Sequence, residues 1–310
     1  MKDRASAFAP ATVGNVGIGF DILGHTVQSV GDRVTAQRSA TPGVRIRAIT
    51  GTAADLPIDP ERNTAGKAVL SLWRACGAHG GVELEIEKGI PLGSGLGGSA
   101  ASAVAAVVAA NALLDQARPQ LELLKFAMLG EQVASGSIHV DNIAASLFGG
   151  LVLTVGVDNP RIKQIPVPPA IRCVLVHPHM FLSTREARGI LSRTVTLSDF
   201  VWQSANLAGF ISGCYSNDLD MIRDSFEDVV IEPQRQALIP GFRQVRAAAM
   251  GADALGCSIS GAGPTVFAWC EEQRAAPIRD AMVAAFGAHG LASDAWITSI
   301  EPAGARLVDR

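Results

Sequence analysis

The sequence has little charge and no long apolar run. Charged residues make up 18% of its 310 residues and the formal net charge is −3, so it offers no broad basic surface to nucleic acid or to an anionic membrane. The longest apolar stretch, residues 100–114, is interrupted by Ser102 and Asn111 and is shorter than the ~20 residues that cross a bilayer. The N-terminus carries no apolar segment of the kind found in secretory signals. We therefore expect a soluble intracellular protein with no nucleic-acid or membrane partner.

Cysteine is scarce and shows no pairing pattern. An odd number of scattered cysteines without a C-x-x-C pair argues against a disulfide framework and against a zinc site. A reducing, cytoplasmic location is therefore expected. The five residues are Cys76, Cys173, Cys214, Cys257 and Cys270.

Short strands and helices are intermixed along the chain. Residues 82–89 alternate strictly between apolar and polar side chains, which predicts a strand. Residues 62–78, 99–115 and 119–135 are predicted to be helices. Because regular βαβ alternation is absent, the pattern favours an α+β fold.

A cluster of prolines divides the chain into two halves. Four prolines lie between residues 160 and 169, and prolines at this density cannot continue a helix or a central strand. We predict an N-terminal domain of residues 1–160 and a C-terminal domain of residues 170–310.

The segment PLGSGLGGSAASAVAA, residues 91–106, places many glycines between a predicted strand and a predicted helix. Free N–H groups in the first helical turn and the helix dipole both favour a bound phosphate. Glycine lets the backbone approach the ligand and adopt positive φ. A plain turn would need one or two glycines, so this segment predicts a phosphate-binding loop.

The segment fits neither of two common types of phosphate-binding loop. The Walker pattern fails because no lysine follows Gly98. Gly93, Gly95 and Gly98 match G-x-G-x-x-G, but a dinucleotide site also needs an acidic residue ~20 positions further on. Arg118 and Pro119 stand there, which disfavours a NAD-dependent oxidoreductase.

The same segment resembles the P-x-x-x-G-L-G-[SG]-S-A nucleotide loop of the GHMP kinases, a family that includes galactokinases, homoserine kinases and mevalonate kinases. The resemblance implies a two-domain α+β fold, with an N-terminal domain like domain 2 of ribosomal protein S5 and a C-terminal ferredoxin-like α/β sandwich. It also implies ATP as a substrate. The ATP-binding residues that it implies are Pro91, Leu92, Gly93, Ser94, Gly95, Leu96, Gly97, Gly98, Ser99, Ala100, Ala101, Gly261 and Gly263.

Glu131 is predicted to point into the protein interior. It shares a helical stripe with Leu124, Ala127 and Met128, and a buried carboxylate needs a cation or hydrogen-bond donors. Mg²⁺ takes oxygen ligands, of which the protein usually supplies one or two. We predict that Glu131 and the hydroxyl of Ser99 hold Mg²⁺, as the resemblance also implies.

Two further glycine-rich segments support the resemblance. APATVGNVGIGFDILG, residues 9–24, looks like the first GHMP motif in the form found in homoserine kinases, and it contains Asn15 and Asp21. SISGAGPTVFAW, residues 258–269, is similar to the C-terminal motif, whose glycines form a loop that closes on the nucleotide loop. Either segment alone is equally consistent with an ordinary turn.

Three polar segments are candidates for contact with the second substrate. Ser183 and Glu186 form a capping-box pattern that starts a helix. This pattern leaves Thr184, Arg185 and Arg188 for another role. Arg235 follows a proline at a second predicted helix start, where a basic residue does not complement the helix dipole. A guanidinium binds a carboxylate in a bidentate way.

These segments resemble the S-T-x-x-A-R and P-x-R forms of homoserine kinases. The resemblance implies that Arg188 and Arg235 hold a substrate carboxylate. HVDN, residues 139–142, is similar to a further segment of that branch, in which the histidine joins Asn15 and Asp21 around an amino acid. The candidate catalytic residues that the resemblance implies are therefore Asn15, Asp21, His139, Asp141 and Asn142. Asp141 and the nucleotide phosphate both remain open as the proton acceptor.

The resemblance implies that the chain transfers phosphate from ATP to the side-chain hydroxyl of L-homoserine. The alternatives are a kinase of the same family that acts on shikimate or mevalonate, a NAD-dependent oxidoreductase, and a catalytically silent ligand-binding member. A homodimer is left open, because a dimer contact and a core strand look alike in one sequence.

Overall fold

The structure is a computed structural model that describes residues 2–135, 139–156 and 159–309, without the side chains of residues 134 and 135. Residues 157 and 158, just before the predicted proline-rich junction at residues 160–169, lie outside the described residues, and the junction itself contains strand β6 (Arg161–Ile165). In the described part of the chain, no helix is both long and apolar enough to cross a membrane.

The first sheet contains seven strands and is built around a long antiparallel pair. These two strands, β1 (Arg4–Gly14) and β2 (Leu23–Ser39), are joined by the glycine-rich turn of residues 15–22. The other strands of this sheet are β3 (Gly43–Gly51), β4 (Gly81–Lys88), β5 (Leu151–Val155), β6 (Arg161–Ile165) and β11 (Arg306–Val308). Their order is β11-β1-β2-β4-β3, with β5 pairing with β2 and with β6. Among the strands of the described residues, β3 and β4 form the single parallel pair of this sheet, so it is not the parallel sheet of a dinucleotide-binding fold.

Helices from the same half cover this sheet. They are α1 (Thr64–Ala75), α2 (Gly98–Asn111), α3 (Gln120–Ser135) and α4 (Val140–Phe148). The central one is α2, which is buried on almost every side because it packs against the sheet and against the other helices. Its many alanines allow this close approach of backbones.

The second sheet has four antiparallel strands in the order β10-β7-β9-β8. The strands are β7 (Ile171–Pro178), β8 (Gly256–Ile259), β9 (Val266–Glu271) and β10 (Ser293–Ser299). The helices of this half are α5 (Thr184–Gly189), α6 (Leu197–Ser216), α7 (Leu219–Asp224), α8 (Glu232–Arg235), α9 (Phe242–Gly251) and α10 (Ala275–Ala288). Numbered within this half, the strand order is 4-1-3-2 with helical crossovers, which is the ferredoxin-like arrangement.

An aromatic cluster joins the two halves. The indole Nε1 of Trp269 donates to Nε2 of His25 at 3.1 Å. Nδ1 of His25 lies 3.0 Å from the carbonyl of Thr26, so this nitrogen carries the proton. Phe210 and Phe226 pack on the same indole ring. Strand β11 also returns from the end of the chain to pair with β1, although it falls within the range predicted for the C-terminal domain.

The predicted elements are present, with ends that local contacts determine. The helix predicted at residues 62–78 begins at Thr64, because the side chain of Asn63 caps it by accepting hydrogen bonds from Ala65 and Gly66. The capping box predicted for α5 is not formed. Ser183 stands at the N-cap position, but its side chain makes no capping hydrogen bond.

Candidate active site

The predicted functional residues meet in one cleft between the two halves. Eighteen of them line it, together with Lys88, Ile90 and Ala262. The predicted residues that line the cleft are Asn15, Asp21, Pro91, Leu92, Gly93, Ser94, Gly95, Gly97, Gly98, Ser99, Glu131, His139, Asp141, Asn142, Thr184, Arg188, Arg235 and Gly261.

Four residues of the predicted ATP-binding set do not line the cleft. Leu96, Ala100 and Ala101 have buried side chains that belong to the core. Gly263 lies behind the cleft wall, next to Gly95. These four residues therefore shape the loop from behind.

The phosphate loop has a backbone that only glycine adopts without strain. Gly93, Gly95 and Gly97 have φ values of 62°, 77° and 67°. A Cβ on Gly95 would lie 2.5 Å from the carbonyl oxygen of Ser260. Gly97 is the N-cap of α2 and supplies no side chain to its first turn. The amides of that turn are therefore available to an anion.

The C-terminal motif holds this loop in place. The hydroxyl of Ser260 donates to the carbonyl of Gly95 at 2.8 Å, and the amide of Thr265 donates to the carbonyl of Ser94 at 3.2 Å. The amide of Gly261 donates to the carbonyl of Gly14 at 3.1 Å. The three glycine-rich segments thus contact one another.

A buried ion pair lies beneath the loop, and the sequence analysis missed it. The ammonium of Lys88 pairs with Asp32, and it donates at 2.8 Å to both the carbonyl of Gly98 and the hydroxyl of Ser102. Both charged side chains are almost completely buried. Strand alternation could have predicted that Lys88 is buried, because Val82, Leu84 and Ile86 face the core and the same alternation places Lys88 on that face.

Glu131 is buried, as its helical position predicts, and it contacts Ser99. The hydroxyl of Ser99 donates to Oε1 of Glu131 at 2.8 Å. Nδ1 of His139 lies 3.3 Å from the same oxygen. Oε2 is buried and has no hydrogen-bond partner among the described residues. An orphaned carboxylate oxygen next to a hydroxyl fits a Mg²⁺ ion, which takes oxygen ligands.

Asn15 and Asp141 fix the turn between β1 and β2. The amide N–H of Asn15 donates to Oδ2 of Asp141 at 3.1 Å. The side-chain amide of Asn15 donates to the carbonyl of Gly261 at 2.9 Å, and its Oδ1 accepts from the amide of Asp21 at 3.0 Å. The side chain of Asn15 therefore already holds protein groups at the cleft wall.

The pKa of Asp141 is raised to about 6. Burial is the main cause, and the nearby carboxylate of Asp21 adds to it. An electrostatic interaction with His139 and hydrogen bonds from Asn142 and Asn15 oppose the rise. Asp141 can thus exchange a proton close to neutral pH.

Arg188 connects Asp21 with His139. Its two terminal nitrogens donate to the two carboxylate oxygens of Asp21, with Nη1 at 3.0 Å from Oδ2. Its Nε donates to Nε2 of His139 at 3.1 Å. Because Nε2 accepts this bond, we assign the ring proton to Nδ1, which faces Glu131. A chain of contacts therefore runs from Ser99 through Glu131, His139 and Arg188 to Asp21.

Arg235 is buried in the wall of the same cleft. It is the last residue of the four-residue helix α8, whereas the sequence analysis placed it at a helix start. Its Nε and Nη1 donate at 3.0 Å to the carbonyls of Ala187 and Gly261. Burial, followed by the charge of Arg188, lowers its pKa to about 10, so it remains charged at neutral pH.

Phe20 contacts both arginines, which the sequence did not predict. The guanidinium carbons of Arg188 and Arg235 lie 5.3 Å and 5.2 Å from the centre of its ring. Both distances suit a cation–π contact. The ring therefore holds two positive groups close together, although they repel one another.

Thr184 is the first residue of α5 and lines the cleft between the loop and the arginines. The amide of Leu182 donates to the carbonyl of Gly93 at 3.3 Å. This bond joins the segment before α5 directly to the phosphate loop. The anion-binding backbone and the charged groups of α5 thus belong to one continuous wall.

Comparisons with known proteins agree with this geometry. Residues 63–150 match the GHMP kinases N terminal domain, and residues 210–289 match the GHMP kinases C terminal domain. Homoserine kinase from Xylella fastidiosa (strain M12) is 51% identical over 306 residues, which is 98% of this chain and 94% of the relative.

Solved structures show the same relationship. The crystal structure of homoserine kinase from Cytophaga hutchinsonii is 43% identical, with a TM-score of 0.96 over 99% of this chain and 98% of the other. Mevalonate kinase from L. major, solved with R-mevalonate, shares the fold at 16% identity, with a TM-score of 0.68 over 98% of this chain and 97% of the other. The chain belongs to the GHMP kinases and, within them, to the homoserine kinase family.

Proposed function

We propose that this protein transfers the γ-phosphate of ATP to the side-chain hydroxyl of L-homoserine. The observation that carries the proposal is the pairing of two features in one cleft. A glycine-lined helix start suited to phosphates faces a cluster that presents Asp21 together with Arg188 and Arg235. An α-amino acid carries one ammonium and one carboxylate, so a site with both signs of charge matches its head group.

The phosphates of ATP would lie on the backbone of residues 91–99. The amides of the first turn of α2 and its dipole provide the attraction. Glu131 and the hydroxyl of Ser99 would hold Mg²⁺. When bound, Mg²⁺ neutralises charge on the phosphates.

The amino acid would lie against α5 and the turn of residues 15–22. Arg188 and Arg235 are proposed to bind its carboxylate. Asp21, with Asn15 and His139, is proposed to bind the ammonium and hydroxyl end. Binding would loosen the pair between Asp21 and Arg188, because each partner gains a charge of the substrate. Thr184, which also lines the cleft, is proposed to contact the amino acid as well.

The reaction forms a bond between the homoserine oxygen and the γ-phosphorus and breaks the bond to the β-phosphate oxygen. ADP leaves, and the hydroxyl proton must go to an acceptor. Two acceptors are available, Asp141 with its pKa of about 6 and the γ-phosphate itself. Phosphoryl transfer depends mainly on positioning and charge stabilisation, so a dedicated base is not obligatory.

A substrate panel tests the proposal. ATP consumption would be measured with homoserine, mevalonate, shikimate and galactose, and NAD binding would be measured in parallel. We expect the highest kcat/KM with homoserine and no NAD binding. A higher kcat/KM with mevalonate or shikimate would identify a different alcohol, and absence of turnover with every alcohol would identify a binding protein.

Two inferences about the whole chain accompany this proposal. We infer an N-terminal domain of residues 1–160 and a C-terminal domain of residues 170–310, with β11 as an exchange of the chain end into the first sheet. We also infer a cytoplasmic location, since all five cysteines are free thiols.

A further inference from the structure

Lys88 and Asp32 form a buried ion pair that the proposed reaction does not use. The side chain of Lys88 is 3% exposed and that of Asp32 is fully buried. Moving two charges out of water is costly, and apolar side chains of similar size are often no less stable in such a position. Stability alone therefore does not account for the pair. Its contacts with the backbone on both sides of the phosphate loop point to another role.

Asp32 holds the start of the loop. Its Oδ1 accepts hydrogen bonds from the amides of Gly89 and Ile90 at 3.0 Å and 3.2 Å. These two residues connect β4 to the phosphate loop. Gly89 passes so close to β2 that a Cβ on it would lie 2.2 Å from the carbonyl oxygen of Gly31. The carboxylate of Asp32 thus fixes the exit of the chain from β4 against β2.

Lys88 holds the end of the loop. Its ammonium donates at 2.8 Å to the carbonyl of Gly98, the first residue of α2. Because a peptide group is planar and trans, the N–H of Ser99 points away from that carbonyl, out of the N-terminal end of the helix. The hydroxyl of Ser99 contacts Glu131. Lys88 therefore orients the peptide group that leads into the proposed metal site.

The ammonium of Lys88 has no donor left for a substrate. An ammonium has three N–H groups, and the three partners of Lys88 are Asp32, the carbonyl of Gly98 and the hydroxyl of Ser102. Ser102 in turn donates to Oδ2 of Asp32 at 2.6 Å. A buried polar network whose groups are all satisfied is rigid and specifies one geometry. Lys88 thus acts on the loop and not directly on a phosphate.

We propose that Lys88 and Asp32 form a clamp that fixes both ends of the phosphate loop, and that Lys88 is a positioning residue for phosphoryl transfer from ATP. The middle of the loop is held from the other half of the protein, where Ser260 donates to the carbonyl of Gly95. The clamp holds the two ends from the half to which the loop belongs. The inference rests on the proposed function for its reaction, whereas nucleotide binding tests it separately.

A double variant removes the contact with Gly98 and keeps the rest of the clamp. In Lys88→Met combined with Asp32→Asn, the side-chain oxygen at position 32 still accepts from the amides of Gly89 and Ile90. No buried charge is left without a partner, so the variant should fold. Thermal unfolding measures this.

The double variant should bind nucleotide more weakly. Calorimetry with a nonhydrolysable ATP analogue and Mg²⁺ should give a Kd that is raised roughly tenfold or more, the equivalent of one charge-assisted hydrogen bond. The kcat/KM for ATP should fall by roughly ten- to a hundredfold, because the phosphates are misplaced. KM for homoserine should change little, which a general loss of structure would not produce.

Lys88→Gln is a second variant with the same expected loss. Its amide nitrogen lies one bond nearer the backbone than the ammonium does, so it cannot hold Asp32 and Gly98 together. Ser102→Ala is the matched control, because it removes a hydroxyl from the same cluster but leaves the contact between Lys88 and Gly98. It should keep the wild-type Kd for the analogue.

Arg4→Met combined with Glu85→Gln is a control outside the cluster. It removes an ion pair of 3.0 Å from the same sheet and should also keep the wild-type Kd. A wild-type Kd in both variants of Lys88 would overturn the proposal. An equal loss in Ser102→Ala would overturn it too.

Failure of both Lys88 variants to fold would show that the pair serves the fold and not the loop, which would overturn the proposal as well. A wild-type chain that binds the analogue but does not phosphorylate homoserine would contradict the proposed function alone. The Kd values of the variants would still test the clamp in that case.

Discussion

Asp21 and Arg188, 167 positions apart in the chain, form a two-pronged ion pair inside the cleft. The carboxylate belongs to the turn after β1 and the guanidinium to α5, so the pair links the two halves of the protein. It places a negative and a positive side chain next to each other at the proposed binding site for the ammonium and the carboxylate of the substrate. We propose that this pair opens to receive the ammonium and the carboxylate of an amino acid head group.

Replacing Arg235 should weaken the binding of the amino acid selectively. A charge-assisted hydrogen bond contributes about 1.5–3 kcal/mol, so Arg235→Ala should raise KM for homoserine by roughly 10- to 150-fold. KM for ATP should change little. Steady-state kinetics with each substrate varied would measure both values. Arg243→Ala, at an exposed arginine of α9, is the control, and an equal rise in both KM values would contradict the carboxylate assignment.

Phe20 should act by holding the two arginines in position. Phe20→Leu removes two cation–π contacts, each of about 0.5–2 kcal/mol, and should raise KM for homoserine while kcat changes less. Phe20→Tyr keeps the ring and should restore KM. Phe8→Leu removes a similar contact with Arg306 away from the cleft, so a matching kinetic effect there would indicate general destabilisation.

Glu131→Gln should abolish metal binding. The amide keeps the size of the side chain but loses the charge that attracts a divalent cation. Binding of Mn²⁺ together with a nonhydrolysable ATP analogue, followed by electron paramagnetic resonance, should disappear along with turnover. Glu122→Gln, on the same helix but half exposed, should keep both. Normal Mn²⁺ binding by Glu131→Gln would remove Glu131 from the metal site.

Asp141 should give the activity an acidic limb near pH 6. Its pKa is raised to about 6, so it is ionised above that pH and protonated below it. Protonation weakens its acceptance of the N–H of Asn15 and removes a proton acceptor. The wild-type kcat/KM for homoserine should therefore fall tenfold per pH unit below about 6. Asp141→Asn should lack this limb, and a limb that persists in the variant would assign it to another group.

His25 should make the fold sensitive to acid. Burial lowers its pKa from 6.5 to about 4, so the unfolded chain takes up a proton at a higher pH than the folded chain does. The contribution of neutral His25 to the free energy of unfolding is complete above pH 6.5. It is lost as the pH falls from 6.5 to 4, and the total loss is about 3 kcal/mol. Asp141 changes the free energy of unfolding in the opposite direction, because its raised pKa favours the folded state at low pH.

Urea unfolding between pH 7.5 and 4.5 measures this sensitivity. The free energy of unfolding of His25→Gln should depend less steeply on pH than that of the wild type. His79→Gln, at an exposed histidine, should keep the wild-type slope. Equal slopes for wild type and His25→Gln would show that His25 does not control the acid limit.

The sequence predicted much of the cleft because its chemistry is local. The glycine loop, the inward face of Glu131 and the helix after Ser183 can each be predicted from spacing alone. The pair between Asp21 and Arg188 could not, because it depends on how the two halves meet. The stacking of Phe20 on two arginines and the return of β11 to β1 depend on the same long-range packing. Strand alternation can predict that Lys88 is buried. It cannot predict the partner Asp32, which is 56 positions away.

Locating the phosphate on the product is the decisive test of the proposed phosphoryl transfer. The protein would be incubated with ATP, Mg²⁺ and L-homoserine, and the product examined by phosphorus–proton correlation NMR. We expect one ADP per product molecule and a phosphorus signal that couples to the protons on the terminal side-chain carbon of homoserine. ATP that remains unconsumed, or phosphorus attached to any other atom of the amino acid, would contradict it.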